Sequence, residues 1–147
     1  GLVGQFCAQA LRARGAFVIA SEGSPLRRRL SAAHSADRAV APEELRDAVA
    51  ARAPQGADVV VDTTGKVGLF PLWIDLIRPE GEIVMQGWYP EPAVFDFHEA
   101  HHKLATIRTP CSWEPAALGL EAIARGEFRV RPLVTAVVSP DDAPGIY

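Results

Sequence analysis

The chain has 147 residues, with 15 Lys and Arg against 18 Asp and Glu, a net charge of −3 and 48% hydrophobic residues. One domain with a core of ordinary size fits these figures, and intrinsic disorder does not. No basic excess marks a nucleic-acid footprint, and the longest apolar runs, such as residues 59–61, fall far short of the roughly 20 residues a membrane-spanning helix needs.

Phe6, Cys7, Ala10 and Leu11 stand at helical spacing, and Gly15 is a natural stop, so the first predicted element is a helix over residues 4–14. The run FVIAS at 17–21 predicts a short strand. Ser24 and Pro25 supply an N-cap and a first helical position for a helix through Leu30. A brief strand at Val40 precedes Pro42, and Leu45, Val49 and Arg52 mark an amphipathic helix. ADVVVD at 57–62 is apolar throughout rather than alternating, the pattern of a parallel strand covered on both faces.

Val67, Phe70, Trp73, Leu76 and Ile77 predict a helix ending at Pro79 and Gly81, and EIVMQG follows as a buried strand. Residues 104–108 read as another strand, 115–125 as a helix closed by Gly126, and 133–138 as a last strand. Ser139, Pro140, Asp141 and Asp142 are an N-cap, an N1 proline and first-turn acids for a further helix. Strands alternating with helices of about ten residues predict a doubly wound parallel α/β sheet. The chain opens on a glycine inside a turn and closes one turn into a helix, so a fragment truncated at both ends is expected, its first strand missing.

Gly1-Leu2-Val3-Gly4 running into a helix has the form of the second half of a GxGxxG turn, whose glycines let backbone approach a pyrophosphate at a helix N-terminus. An ordinary helix start accounts for the same four residues. Glu22, at the end of the FVIAS strand, stands 18 positions after Gly4, close to the roughly 20 at which an acid accepts from the adenine ribose hydroxyls. A carboxylate there repels a 2′-phosphate and favours NAD over NADP. Arg27, Arg28 and Arg29 point the other way, as phosphate clamps, or are a solvated helix face.

Taken together, GLVGQFCAQALRARGA, VIASEGSPLRR, GADVVVDTTG, LIRPEGEIVMQGWYPEP, LATIRTP and RPLVTAVVSPDDAPGIY resemble, in order and spacing, the medium-chain dehydrogenase/reductases, the family of zinc-type alcohol and polyol dehydrogenases. The resemblance implies a Rossmann-like cofactor domain. Gly1 and Gly4 would shape the turn, the backbone of Leu2 and Val3 would hold pyrophosphate, Glu22 the ribose, and Arg27 would lie beside adenine. Thr63 and Thr64 would line the groove. Gln86, Gly87 and Trp88, with Thr109 and Pro110, would present main-chain groups to the nicotinamide carboxamide, although Pro110 removes one N–H there. It further implies an absent N-terminal catalytic domain carrying the zinc ligands, a small alcohol, polyol or ketone as substrate, and a homodimer or homotetramer. No catalytic or metal-binding residue is assigned within this chain.

Other readings of the same residues are a zinc-free quinone reductase of the same superfamily, a bacteriochlorophyllide dehydrogenase-like enzyme, an S-adenosylmethionine-dependent methyltransferase and a non-enzymatic nucleotide sensor. A short-chain reductase is disfavoured because neither Tyr89 nor Tyr147 has a lysine four residues on. His98-Glu99-Ala100-His101-His102 matches HExxH, but Pro90, Pro92 and the alternation of residues 94–97 predict an extended polar connection rather than the helix a metalloprotease requires. Glu114 and Glu121 are third-ligand candidates by distance, but Pro110 and Pro115 interrupt any helix carrying them. Trp73 is expected in the core, and Trp88 and Tyr89 fit ligand contact and packing equally. Cys7 and Cys111, far apart and outside any CxxC, read as isolated thiols. With no basic segment ahead of the opening apolar stretch, they favour the cytoplasm over secretion.

Overall fold

The computed structural model describes residues 1–92, 94, 96–110 and 117–145. In chain order these form α1 (Leu2–Ala13), β1 (Ile19–Ser21), α2 (Pro25–His34), β2 (Arg38–Val40), α3 (Leu45–Arg52), β3 (Ala57–Asp62), α4 (Phe70–Leu76), β4 (Ile77–Met85), α5 (Phe97–His102), β5 (Thr106–Arg108) and α6 (Ala117–Ala124). Every strand pairing is parallel, and the alternation with helices is Rossmann-like. The strands fall into two sheets, β1-β2 and β3-β4-β5.

Local chemistry accounts for most element ends. The Ser24 hydroxyl accepts from the Arg27 N–H, with Pro25 at the first helical position of α2. α1 stops at Gly15, whose N–H donates to the Arg12 carbonyl at 2.9 Å. The core centres on Phe70, Trp73, Ile74, Ile77, Ile83 and Ala100. Trp73 meets Phe70 edge-on at 5.8 Å between centroids and Tyr89 at 6.4 Å, which places Trp73 and Tyr89 in packing and leaves Trp88 84% exposed.

Five expectations are corrected. Ile77 belongs to β4, not to the preceding helix: its ψ of 149° is extended, and it pairs with Ala57 of β3. β3 is not covered on both faces. It is an edge strand of its sheet, and Val59 is 41% exposed. Residues 134–138 form no strand. They follow a 3-10 turn at Arg131–Leu133, pair with no strand, and leave Val137 91% exposed, since β-branched residues become a strand only against a partner. Residues Pro140–Gly145 are a 3-10 helix rather than an α-helix, with Pro144 inside it to block α-helical hydrogen bonding.

The fifth concerns α1, whose buried face is Gln5, Ala8 and Gln9 rather than Phe6, Cys7, Ala10 and Leu11. Gln9 is satisfied there by Ser35 and the Arg129 backbone, accepting from Arg129 N–H at 2.6 Å. Cys7 is half-buried, and burial raises its thiol pKa. Cys111, Glu114 and the start of the predicted 115–125 helix lie outside the described residues.

Candidate functional site

The candidate residues gather at the carboxyl ends of β1, β3, β4 and β5. At one end, α1 begins with no side-chain cap and no acid in its first turn, so its leading N–H groups are free for an anion. Glu22 follows β1, and its Oε2 lies 3.1 Å from the Gly1 nitrogen. Arg27 grips the same carboxylate with two bonds of 2.8 and 2.9 Å, and Ser24 N–H adds a third at 2.9 Å.

The roughly four acceptor positions of a carboxylate are thus filled, and a ribose hydroxyl must displace Arg27 or the Gly1 nitrogen. Arg28 is committed to the Glu22 carbonyl at 2.8 Å, and Arg29 is exposed. Arg27 above all, and then Ser24 N–H, hold the Glu22 carboxyl down at about 2 against an ordinary 4.5, despite its partial burial. A depressed carboxylate adds stability above its unfolded pKa and loses it as pH falls toward the folded one. The stability difference between the native chain and Glu22→Gln is therefore expected to be constant above about pH 5 and to shrink between 4.5 and 2. Urea titrations at stepped pH read this directly.

α1 reaches the second sheet through Gly4. A Cβ on Gly4 would stand 2.9 Å from the Thr63 hydroxyl, so a side chain there would force Thr63 or the helix to shift. Thr63 and Thr64 sit in the loop after Asp62, a residue the sequence reading missed. Asp62 is buried and accepts from Thr64 N–H at 3.1 Å, Thr64 Oγ1 at 2.8 Å, Gly65 N–H at 3.2 Å and the Tyr89 hydroxyl. Its carbonyl accepts from Gln86 and Gly87 N–H at 2.8 and 3.0 Å.

Burial first, then the Asp62 carboxylate, push the Tyr89 hydroxyl above its usual pKa, so it stays a donor. Gly87 and Trp88 are thereby set beside Gly65. Thr109 and Pro110 follow Arg108, which pairs with Val84, and so share the edge of Gln86; both are exposed. The sequence signal for Asp62 was an Asp two residues before a Thr and three before a Gly, an Asx-turn pattern.

A groove of about 800 Å³ lies elsewhere, at the far end of α1 between Arg12, Phe17, Asp37 and Arg52. There Arg12 pairs with Asp37 and Arg52 lies over the Phe17 ring. These contacts tie α1 and α3 to the amino end of β1, opposite to the edge where open parallel sheets bind ligands.

The 98–102 segment is a helix, α5, and this corrects the extended connection expected there. Asp96 caps it and Ala100 anchors it in the core. Among the described residues no group of three or more His, Cys, Asp and Glu could hold a metal ion, so the zinc triad of a peptidase is not assembled. Glu99 instead lines a groove with Arg46, Asp75 and Lys103. Among the described residues no helix is long and apolar enough to cross a membrane.

Comparison with known proteins places this architecture. The chain superposes with a TM-score of 0.87 and 23% identity on a protein assigned as a zinc-binding dehydrogenase from Sinorhizobium meliloti 1021, bound to NADP, covering 99% of this chain and 45% of that one. With 2R,3R-butanediol dehydrogenase from Bacillus subtilis the values are 0.81 and 25%, over 92% of this chain and 40% of that one. A quinone oxidoreductase of Pseudomonas syringae pv. Tomato DC3000 shares the fold at 0.75 and 21%, over 88% and 44%. The chain thus spans less than half the length of each. A family model described as zinc-binding dehydrogenase matches residues 3–116, and the chain belongs to that family.

Proposed function

We propose that this chain binds the dinucleotide of an NAD(P)-dependent oxidoreductase that moves hydride between nicotinamide and a small alcohol, polyol or ketone. The observation that carries the reading is the placement of the Glu22 carboxylate 3.1 Å from the Gly1 nitrogen, at the mouth of an uncapped helix. A dinucleotide needs anion-binding N–H groups and a ribose acceptor within one turn of chain of each other. Leu2 and Val3 would take the pyrophosphate on backbone N–H, Glu22 the ribose hydroxyls, and Thr63 and Thr64 the wall of the groove. Gln86, Gly87, Trp88, Thr109 and Pro110 would meet the nicotinamide end.

The bound cofactor supplies the hydride chemistry; these residues hold and orient it. Among the described residues no three-ligand group offers zinc a site. Similarity to a butanediol dehydrogenase at 25% identity supports an alcohol or polyol substrate.

Glu22 favours NAD, because its charge opposes a 2′-phosphate while Arg27 is held in an ion pair with it. In the protein that carries this domain, calorimetric titration should give tighter binding of NAD than of NADP. Glu22→Gln should close the gap by about tenfold, or ~1.4 kcal/mol, by freeing Arg27 and removing the repulsion. Equal affinities in the unmodified protein would remove the ribose assignment.

A further inference from the structure

α5 is only six residues long, yet it is fixed on three sides. Asp96 accepts from His98 N–H at 2.8 Å at its start, and Lys103 at its end donates to the carbonyls of Asp75 and Ile77 at 3.0 and 2.6 Å. Between them Ala100 is buried in the Phe70–Trp73 cluster. With that face turned inward, His98, His101 and His102 are exposed. His98 and His102, one helical turn apart, bring their Nε2 atoms to 3.0 Å, with ring centroids 4.2 Å apart and planes at 86°.

Two imidazole nitrogens this close form a hydrogen bond to each other, and both can instead turn a lone pair to one cation. Metal–nitrogen bonds of about 2.0–2.1 Å across a 3.0 Å separation subtend about 91–97°. That is close to the right angle between neighbouring ligands of an octahedral or square-planar ion and narrower than the ideal tetrahedral angle. Imidazole nitrogen suits late first-row divalent ions, and this geometry selects Ni²⁺ and Cu²⁺ over Zn²⁺.

We propose that His98 and His102 form a two-histidine chelate for Ni²⁺ or Cu²⁺ on the outer face of α5, with water completing the coordination. The helix is already held in shape by its cap, its buried alanine and the Lys103 anchor, so the second bond forms within one rigid unit rather than from solution. Linking two binding groups in this way raises affinity by roughly a hundredfold over a single histidine. His101, whose ring centroid lies 6.2 Å from that of His102, is the adjacent histidine left out of the pair. The site is independent of the dinucleotide groove and needs no cofactor.

Titrating Ni²⁺ into the untagged chain by calorimetry should give one ion per chain. His98→Ala and His102→Ala should each weaken binding roughly a hundredfold, while His101→Ala and His34→Ala leave it unchanged, with circular dichroism confirming that each variant keeps its fold. In the unaltered chain, bound Ni²⁺ should broaden the imidazole proton resonances of His98 and His102 ahead of those of His34. Retained affinity in either pair variant, or an equal loss in His101→Ala, would overturn the site. Tighter binding of Zn²⁺ than of Ni²⁺ would overturn the right-angle geometry.

Discussion

Replacing Asp62 by alanine is expected to cost about 3–4 kcal/mol of folding stability, read as a lower urea midpoint at unchanged slope. The carboxylate is 4% exposed and accepts from two backbone N–H groups, the Thr64 hydroxyl and the Tyr89 hydroxyl. Alanine leaves four donors at a site water reaches poorly, and an unsatisfied donor costs more than the bond itself was worth. Asp62→Asn keeps one acceptor oxygen but turns an NH₂ toward the same donors, so a loss of about 2 kcal/mol is expected. Tyr89→Phe removes a single charge-assisted bond and leaves the ring packed on Trp73, for about 1.5 kcal/mol. That ranking separates a hub from four unrelated contacts. If Asp62→Ala lost no more than Tyr89→Phe, the loops after β3 and β4 would be held by something else.

Where local chemistry decides, the chain could be read in advance. Strand bounds at 57–62 match β3 residue for residue, since an apolar β-branched run between Gly56 and a Thr-Thr-Gly turn has one good conformation. α2 begins where Ser24 and Pro25 say it must. The juxtaposition of Glu22 with Gly1 was legible too, because strand length and turn length together fix where an acid after β1 can lie. The misreadings of α5 and α1 share a cause, which is dependence on partners distant in sequence. α5 looked extended from Pro90, Pro92 and the 94–97 alternation, yet burial of Ala100 against Phe70 and Trp73 and the Lys103 anchor hold it helical. Gln5 and Gln9 interrupt the opening apolar stretch of the sequence, yet both lie on the buried face of α1. They are buried because α2 and the Arg129 backbone offer them hydrogen bonds, which no periodicity encodes. Asp62 escaped notice because a carboxylate ending a strand looks like the point where a chain meets solvent.

Gly65→Ala should be nearly as damaging as loss of Asp62, and its effect should reach the cofactor. Gly65 has φ +70°, a left-handed conformation, and its missing Cβ would overlap the Trp88 carbonyl oxygen. Gly87 packs back against it, so that a Cβ on Gly87 would fall 2.9 Å from Gly65 Cα. The loops after β3 and β4 therefore touch backbone to backbone, and no rotamer change can relieve an added methyl group. Gly15 supplies the control: its φ is +86° but nothing lies within 4 Å of a Cβ there, so Gly15→Ala carries conformational strain alone, about 1 kcal/mol. Gly65→Ala carries that plus displacement of residues 86–88, about 3 kcal/mol in all. Because those residues are the ones proposed to meet the nicotinamide, dinucleotide affinity should fall roughly tenfold. Glu22 stands at the other end of the groove, so the NAD-to-NADP ratio should stay where it was. A variant that lost stability and kept full affinity would mean that the 86–88 loop lies outside the cofactor's footprint. One that lost discrimination would mean that the two ends of the groove are coupled through α1, where Gly4 rests on Thr63.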